Sequence, residues 1–113
     1  MRWAWLFALL LAGCSKGPDA DLQYIKEGRS LAAEWALLNE QANKGQLTHT
    51  YVASMHEWVR EQLQSAATSL TKPDSRYAIE IQALLQQPDD AAPEELRAHA
   101  DKLKQIEDQL ESA

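Results

Sequence analysis

Cysteine is nearly missing from this chain, with Cys14 alone among 113 residues. One thiol forms no intramolecular disulfide, so the fold has to stand on packing. Glycine and proline are also scarce, four of each. There is no glycine-rich phosphate loop and no dinucleotide fingerprint. Alternating β-branched runs do not exceed three or four positions, so strand signals are absent. Positive charge is in deficit: 11 Lys and Arg stand against 17 Asp and Glu, a net charge of −6 with no basic cluster. That balance argues against nucleic acid or anionic headgroups as partners. Long hydrophobic runs are lacking too. The ten apolar residues from Trp3 to Ala12 would make about 15 Å of helix, half of the roughly 30 Å needed to span a bilayer.

What is present at the N-terminus fits a secretory signal peptide: Arg2 as a minimal positive region, Trp3 to Leu10 as the apolar stretch, and small residues at Ala12 and Gly13. The next residue sharpens this. Leu11-Ala12-Gly13-Cys14 resembles the lipobox of bacterial lipoproteins over all four of its positions. The resemblance implies cleavage before Cys14, a diacylglycerol thioether on its sulfur and an acyl chain on its new amino group, so that lipid on Cys14 attaches the protein to a membrane. With Ser15 rather than Asp after the cysteine, it implies a cell-envelope location on the outer membrane, facing the periplasm. Two or more fatty chains hold a protein firmly where one holds it marginally. The likeness covers the first 15 residues or so and carries no activity.

The chain therefore divides into residues 1–13 as signal peptide, 14–19 as lipidated cysteine and tether, and 20–113 as one domain. Without Arg2, 10 basic residues face 17 acidic ones, net −7. From Ala20 to Asn43 the apolar period is helical, with Tyr24, Gly28, Leu31, Trp35, Leu38 and Ala42 on one stripe. Lys44-Gly45-Gln46 is a C-terminal stop. Thr48 reads as the N-cap of a second helix with core positions Val52, Met55, Val59, Leu63, Ala66 and Leu70, and Tyr51 and Trp58 alongside. Lys72-Pro73-Asp74 breaks it. A third helix is predicted from Ser75 to Gln87, capped by Asp74, and a fourth from Pro93, with Leu96, His99, Leu103, Ile106 and Leu110 buried and Glu107 among its wet residues. The fourth could pair with a second copy, but packing within the chain is favoured at so short a length. The fold class is all-α: a small antiparallel bundle of three to four helices, the first two forming a long hairpin.

Chemistry is thin. His56-Glu57-Trp58-Val59-Arg60 places Arg60 where a zinc-protease helix needs its second histidine. His49 and His56 are two turns apart, too far to share an ion unaided. His99 on an apolar edge reads as a packing residue with a hydrogen bond. No serine or threonine lies in a nucleophile elbow, and the pairs Asp89-Asp90 and Glu94-Glu95 suit solvation and a helix start. No catalytic residue, metal site or cofactor is assigned. Trp35 and Trp58 each lie ten residues from the hairpin link and are expected at one level of the bundle, as core fillers or, with Tyr24 and Tyr51, as an aromatic pocket. The leading functional expectation is a non-catalytic envelope lipoprotein that binds another envelope protein. The alternative is a carrier of a small apolar ligand held among those four aromatics.

Overall fold

The computed structural model describes residues 17–112; the residues expected to form a signal peptide and lipobox, Cys14 among them, lie outside these. Four helices follow one another: α1 (Gly17–Asn43), α2 (His49–Ser69), α3 (Arg76–Leu85) and α4 (Pro93–Glu111). Among the described residues there is no strand, and no helix is long and apolar enough to cross a membrane.

Each boundary has a local cause. Helix α1 begins at Gly17, so three of the five residues expected as tether are helical; the fixed φ of Pro18 suits a first turn. Its end is a Schellman motif. Gly45 takes a φ of +71°, the Gly45 amide donates to Ala42 O at 3.0 Å, and the Gln46 amide donates to Gln41 O at 3.0 Å. Thr48 caps α2 as expected, its hydroxyl accepting from the Tyr51 amide. The cap of α3 differs from expectation: Ser75, not Asp74, accepts from the Ala78 amide, and the helix runs from Arg76 to Leu85. Helix α4 has Pro93 in its first turn and Glu94 and Glu95 against the positive end of its dipole.

Cross-links fix the topology. Lys26 meets Glu111, Arg29 meets Glu107 and Glu40 meets Arg97, so α1 and α4 run antiparallel in continuous register. Asn39 meets His56 and Asp21 meets Thr71, which closes α1 and α2 as the expected hairpin. The most extensive interface is nonetheless α1 with α4 rather than α1 with α2. Helix α4 thus completes the bundle within the chain.

The core draws on all four helices: Ile25, Leu31 and Trp35; Val59 and Leu63; Tyr77, Ile81 and Leu84; Leu96, Leu103 and Ile106. A fully buried aliphatic side chain contributes about 1.5–3 kcal/mol, and the leucines and isoleucines at the centre are closed to water. Gly28 sits where α1 meets α3 and α4. A Cβ there would lie 3.3 Å from two atoms of Ile81 and 3.6 Å from Leu103, so the missing side chain is what lets three helices approach.

Three polar residues are buried with these: Asp21, Asn39 and Glu107. Glu107 corrects the expectation that it faces water. One helical step beyond Ile106, it turns toward α1, where Arg29 Nε donates to its Oε1 at 2.7 Å. Asp21, fully buried, accepts from the Thr71 amide at 2.9 Å, the Thr71 hydroxyl at 3.0 Å and the Tyr77 hydroxyl at 2.5 Å. Three donors from the α2–α3 link and α3 thereby hold the first turns of α1. Burial first, and then the bond to Asp21, push the Tyr77 phenol above its ordinary value of 10.0.

Candidate functional site

The end of the bundle around the α1–α2 turn carries two features, one inward and one outward. The inward one is a polar network that locks the α3–α4 loop. Trp35 Nε1 donates to Asp89 O at 2.9 Å, and Asn39 Nδ2 donates both to Asp89 O at 2.9 Å and to Ala91 O at 2.8 Å. Since two carbonyls claim the amide nitrogen, Asn39 Oδ1 must face His56, 2.7 Å from its Nε2. His56 Nε2 therefore carries the hydrogen. Arg60 closes the set: its Nε donates to Asp89 Oδ1 at 2.5 Å, Nη1 to Leu85 O at 3.0 Å and Nη2 to Gln87 O, while its guanidinium carbon stands 5.1 Å from the centre of the Trp35 ring. The second position of the failed zinc motif is thus a structural clamp.

The outward feature is a groove of about 340 Å³ between α1 and α2, lined by Glu34, Leu37, Leu38, Gln41 and Leu47 on one side and Tyr51, Met55 and Trp58 on the other. Leu37 is 53% exposed, Tyr51 50% and Trp58 42%. Three large apolar side chains standing together in water are the informative observation, since scattered ones are ordinary. Tyr51 and Trp58 are seven residues, two helical turns, apart on α2 and Leu37 faces them from α1, so the three form one surface.

The four aromatics named from the sequence are divided by this arrangement. Tyr51 and Trp58 line the groove. Trp35 is only 1% exposed and spends its indole N–H on Asp89 O. Tyr24 is half-buried and lies about 20 Å along α1 from Leu37. No single pocket gathers them. Trp35 and Trp58 occupy similar levels of the hairpin but different faces, because Trp58 sits one step, about 100°, before the buried Val59. Leu37, Leu38 and Met55 belong to the groove and were assigned to the core stripe or left out. The period-3.6 pattern marks a face as apolar without saying whether a neighbour covers it.

Other titratable groups are occupied structurally. His99 Nδ1 lies 2.5 Å from Glu80 Oε1, and its Nε2 lies 3.3 Å from the Gln87 amide nitrogen. Nδ1 is then the donor to Glu80 and Nε2 the acceptor from Gln87. That is the partly buried packing role expected of His99. Glu107, Asp108 and Glu111 bring carboxylate oxygens within 4.8 Å of one another, but each faces a cation: Arg29, Lys104 and Lys26. The pair with Asp108 raises Lys104 above its ordinary value. Such ion pairs compete directly with a metal ion for the same lone pairs. A second cleft of about 620 Å³ between α2 and α3 is lined mainly by polar side chains, among them Glu61, Gln64, Thr68 and Gln82, with no convergent acid–base pair.

No family model matches the chain, and neither a curated protein nor a solved structure matches it.

Proposed function

We propose that this is a lipid-anchored envelope protein whose helical bundle binds another protein, without catalysis, through the groove between α1 and α2. The observation that carries the reading is the uncovered cluster of Leu37, Tyr51 and Trp58 on an otherwise well-packed fold. The anchor is the lipid expected on Cys14, and the outer membrane, facing the periplasm, is the expected location. From Cys14 to Gly17 the chain reaches at most about 10 Å, which tethers the start of α1 to the membrane surface. Leu37 lies twenty residues further along α1, about 30 Å from Gly17. The groove is thereby offered at the far end of the bundle from the bilayer.

A small apolar ligand is the second reading, favoured by a volume within the range of ligand sites. Carriers, however, enclose 70–90% or more of a ligand in a concave site, and this groove is open along its length. A docked helix covers such a surface better than a small molecule does.

Chemical crosslinking in intact cells tests the assignment. A crosslinked protein species that survives Ile79→Asp, at an equally exposed apolar position on α3 (61% exposed), and disappears with Leu37→Asp supports the reading. Retention of the species by Leu37→Asp, or its loss with both variants, contradicts it. For the second reading, Trp58 emission that shifts on adding fatty acid or an aromatic ligand would favour the carrier instead.

A further inference from the structure

The groove sits at the strongly acidic end of the molecule. Residues 31–66 and 86–97, which make up the half of the bundle around the α1–α2 turn, contain eight carboxylates and three basic side chains, net −5, of which the hairpin that forms the groove supplies four carboxylates and two cations and the α3–α4 side the rest. The rest of the described residues, 17–30, 67–85 and 98–112, have nine and six, net −3. Two of the three cations in this half are already committed, Arg60 to Asp89 and Arg97 to Glu40. The lining itself holds one carboxylate, Glu34, and no Lys or Arg, and Glu34 forms no ion pair among the described residues. A second copy of this chain would bring two such ends together, like charge on like charge, so self-association through this face is disfavoured. Complementarity selects the opposite sign.

Dimensions select the shape. Glu34 to Gln41 on α1 and Tyr51 to Trp58 on α2 each span seven residues, about 10 Å, which is the axial distance from position i to i+7 of a third helix. We infer that the occupant is a cationic amphipathic helix of a partner protein, with apolar anchors at i, i+3 or i+4 and i+7 seated between Leu37 and Trp58 and a Lys or Arg at the edge facing Glu34. This rests on the protein-docking reading above and adds the partner's chemistry. Because the attraction is between exposed charges, it acts largely on the rate of association and weakens as salt rises.

The test uses the full chain purified from cell membranes and held in zwitterionic lipid discs, with empty discs as the blank. The probes are two synthetic peptides that share leucines at i, i+4 and i+7, one with flanking lysines and one with flanking glutamates. Trp58 emission reports binding once intact mass has shown that Trp3 and Trp5 are removed with the signal peptide, since Trp35 is sealed in the core. The expected result is preferential binding of the lysine peptide, weakened about fivefold or more between roughly 0.05 and 0.3 M salt. Glu34→Gln should lower its affinity about two- to fivefold, as for one exposed charge pair, and Glu34→Lys should reverse the preference between the peptides. Helical circular dichroism unchanged in both variants separates these effects from misfolding. Equal binding of the glutamate peptide, or indifference to salt and to Glu34→Lys, overturns the inference about charge while leaving protein docking standing. No response to either peptide overturns the inference about a helical occupant, and with a crosslink insensitive to Leu37→Asp it removes the docking reading as well.

Discussion

Asn39 is the residue on which the α3–α4 loop most depends, and replacing it gives a calculable result. Its side chain supplies both N–H groups to the loop carbonyls of Asp89 and Ala91 and its oxygen to His56, at 3% exposure. Asn39→Ala removes three bonds, but the consequences differ by partner. Asp89 O keeps Trp35 Nε1 at 2.9 Å. Half-buried His56 can turn to water. Ala91 O, in a residue 5% exposed, is stranded. One buried unsatisfied group costs about 1–3 kcal/mol and each lost bond about 0.5–1.5 kcal/mol, so a net loss of about 2–3 kcal/mol is expected. For a domain near a hundred residues this lowers Tm by about 10–20 °C, read by circular dichroism and cross-checked by the midpoint of urea unfolding. The Asn39→Ala/His56→Ala double variant should be less destabilised than the sum of the singles by at least about 0.5 kcal/mol, because the two share a bond. A Tm within about 3 °C of the parent for Asn39→Ala, or strict additivity of the pair, would show that the network is not what seats the loop.

Three further outcomes follow from the same structure. Tyr77, with a phenol pKa above 10.0 in the fold, stabilises the native state fully below about pH 10 and loses that contribution as pH rises through the folded value; Tyr77→Phe should flatten the loss of stability between about pH 9 and 11 in urea titrations. Arg29→Ala leaves the buried Glu107 carboxylate without its cation; since Arg29 is itself about one-third exposed, a cost of about 1–2 kcal/mol is expected, against little or none for Lys26→Ala at an exposed pair. Gly45→Ala meets no steric obstacle but a φ of +71°, so it should cost about 1–2 kcal/mol through backbone strain alone, whereas Gly45→Asn should cost less.

The helices were legible because their signals are local. A 3.6-residue apolar period, the Lys44-Gly45-Gln46 stop, Thr48 and Pro93 act over a few neighbouring residues, and all four helices fall where those signals put them. The errors at α1 and α3 are boundary errors of a few residues at Gly17 and Ser75. Buried polar residues were not legible for the converse reason: Asp21 finds its donors 50 and 56 positions away at Thr71 and Tyr77, and Glu107 finds Arg29 78 positions away. Helical wheels record charge and face, not the partner that makes burial of a carboxylate tolerable. The groove lies between these cases. Tyr51 and Trp58 drew notice as aromatics beside the α2 core stripe, yet only the placement of α3 and α4 on the other side of the hairpin leaves that flank uncovered. Trp35, grouped with them by residue type, turns away because its indole nitrogen has a carbonyl to satisfy at Asp89.

Placing a photo-crosslinking amino acid at Leu37, and in parallel at Ile79, in the full-length protein inside living cells asks directly whether the groove is where this protein meets another. Mass spectrometry should return a peptide from a distinct envelope protein at position 37, helical in pattern and bearing Lys or Arg beside its apolar residues, and none at position 79. Adducts at position 37 that are only lipid, only this chain itself, or the same as those at position 79 would contradict it.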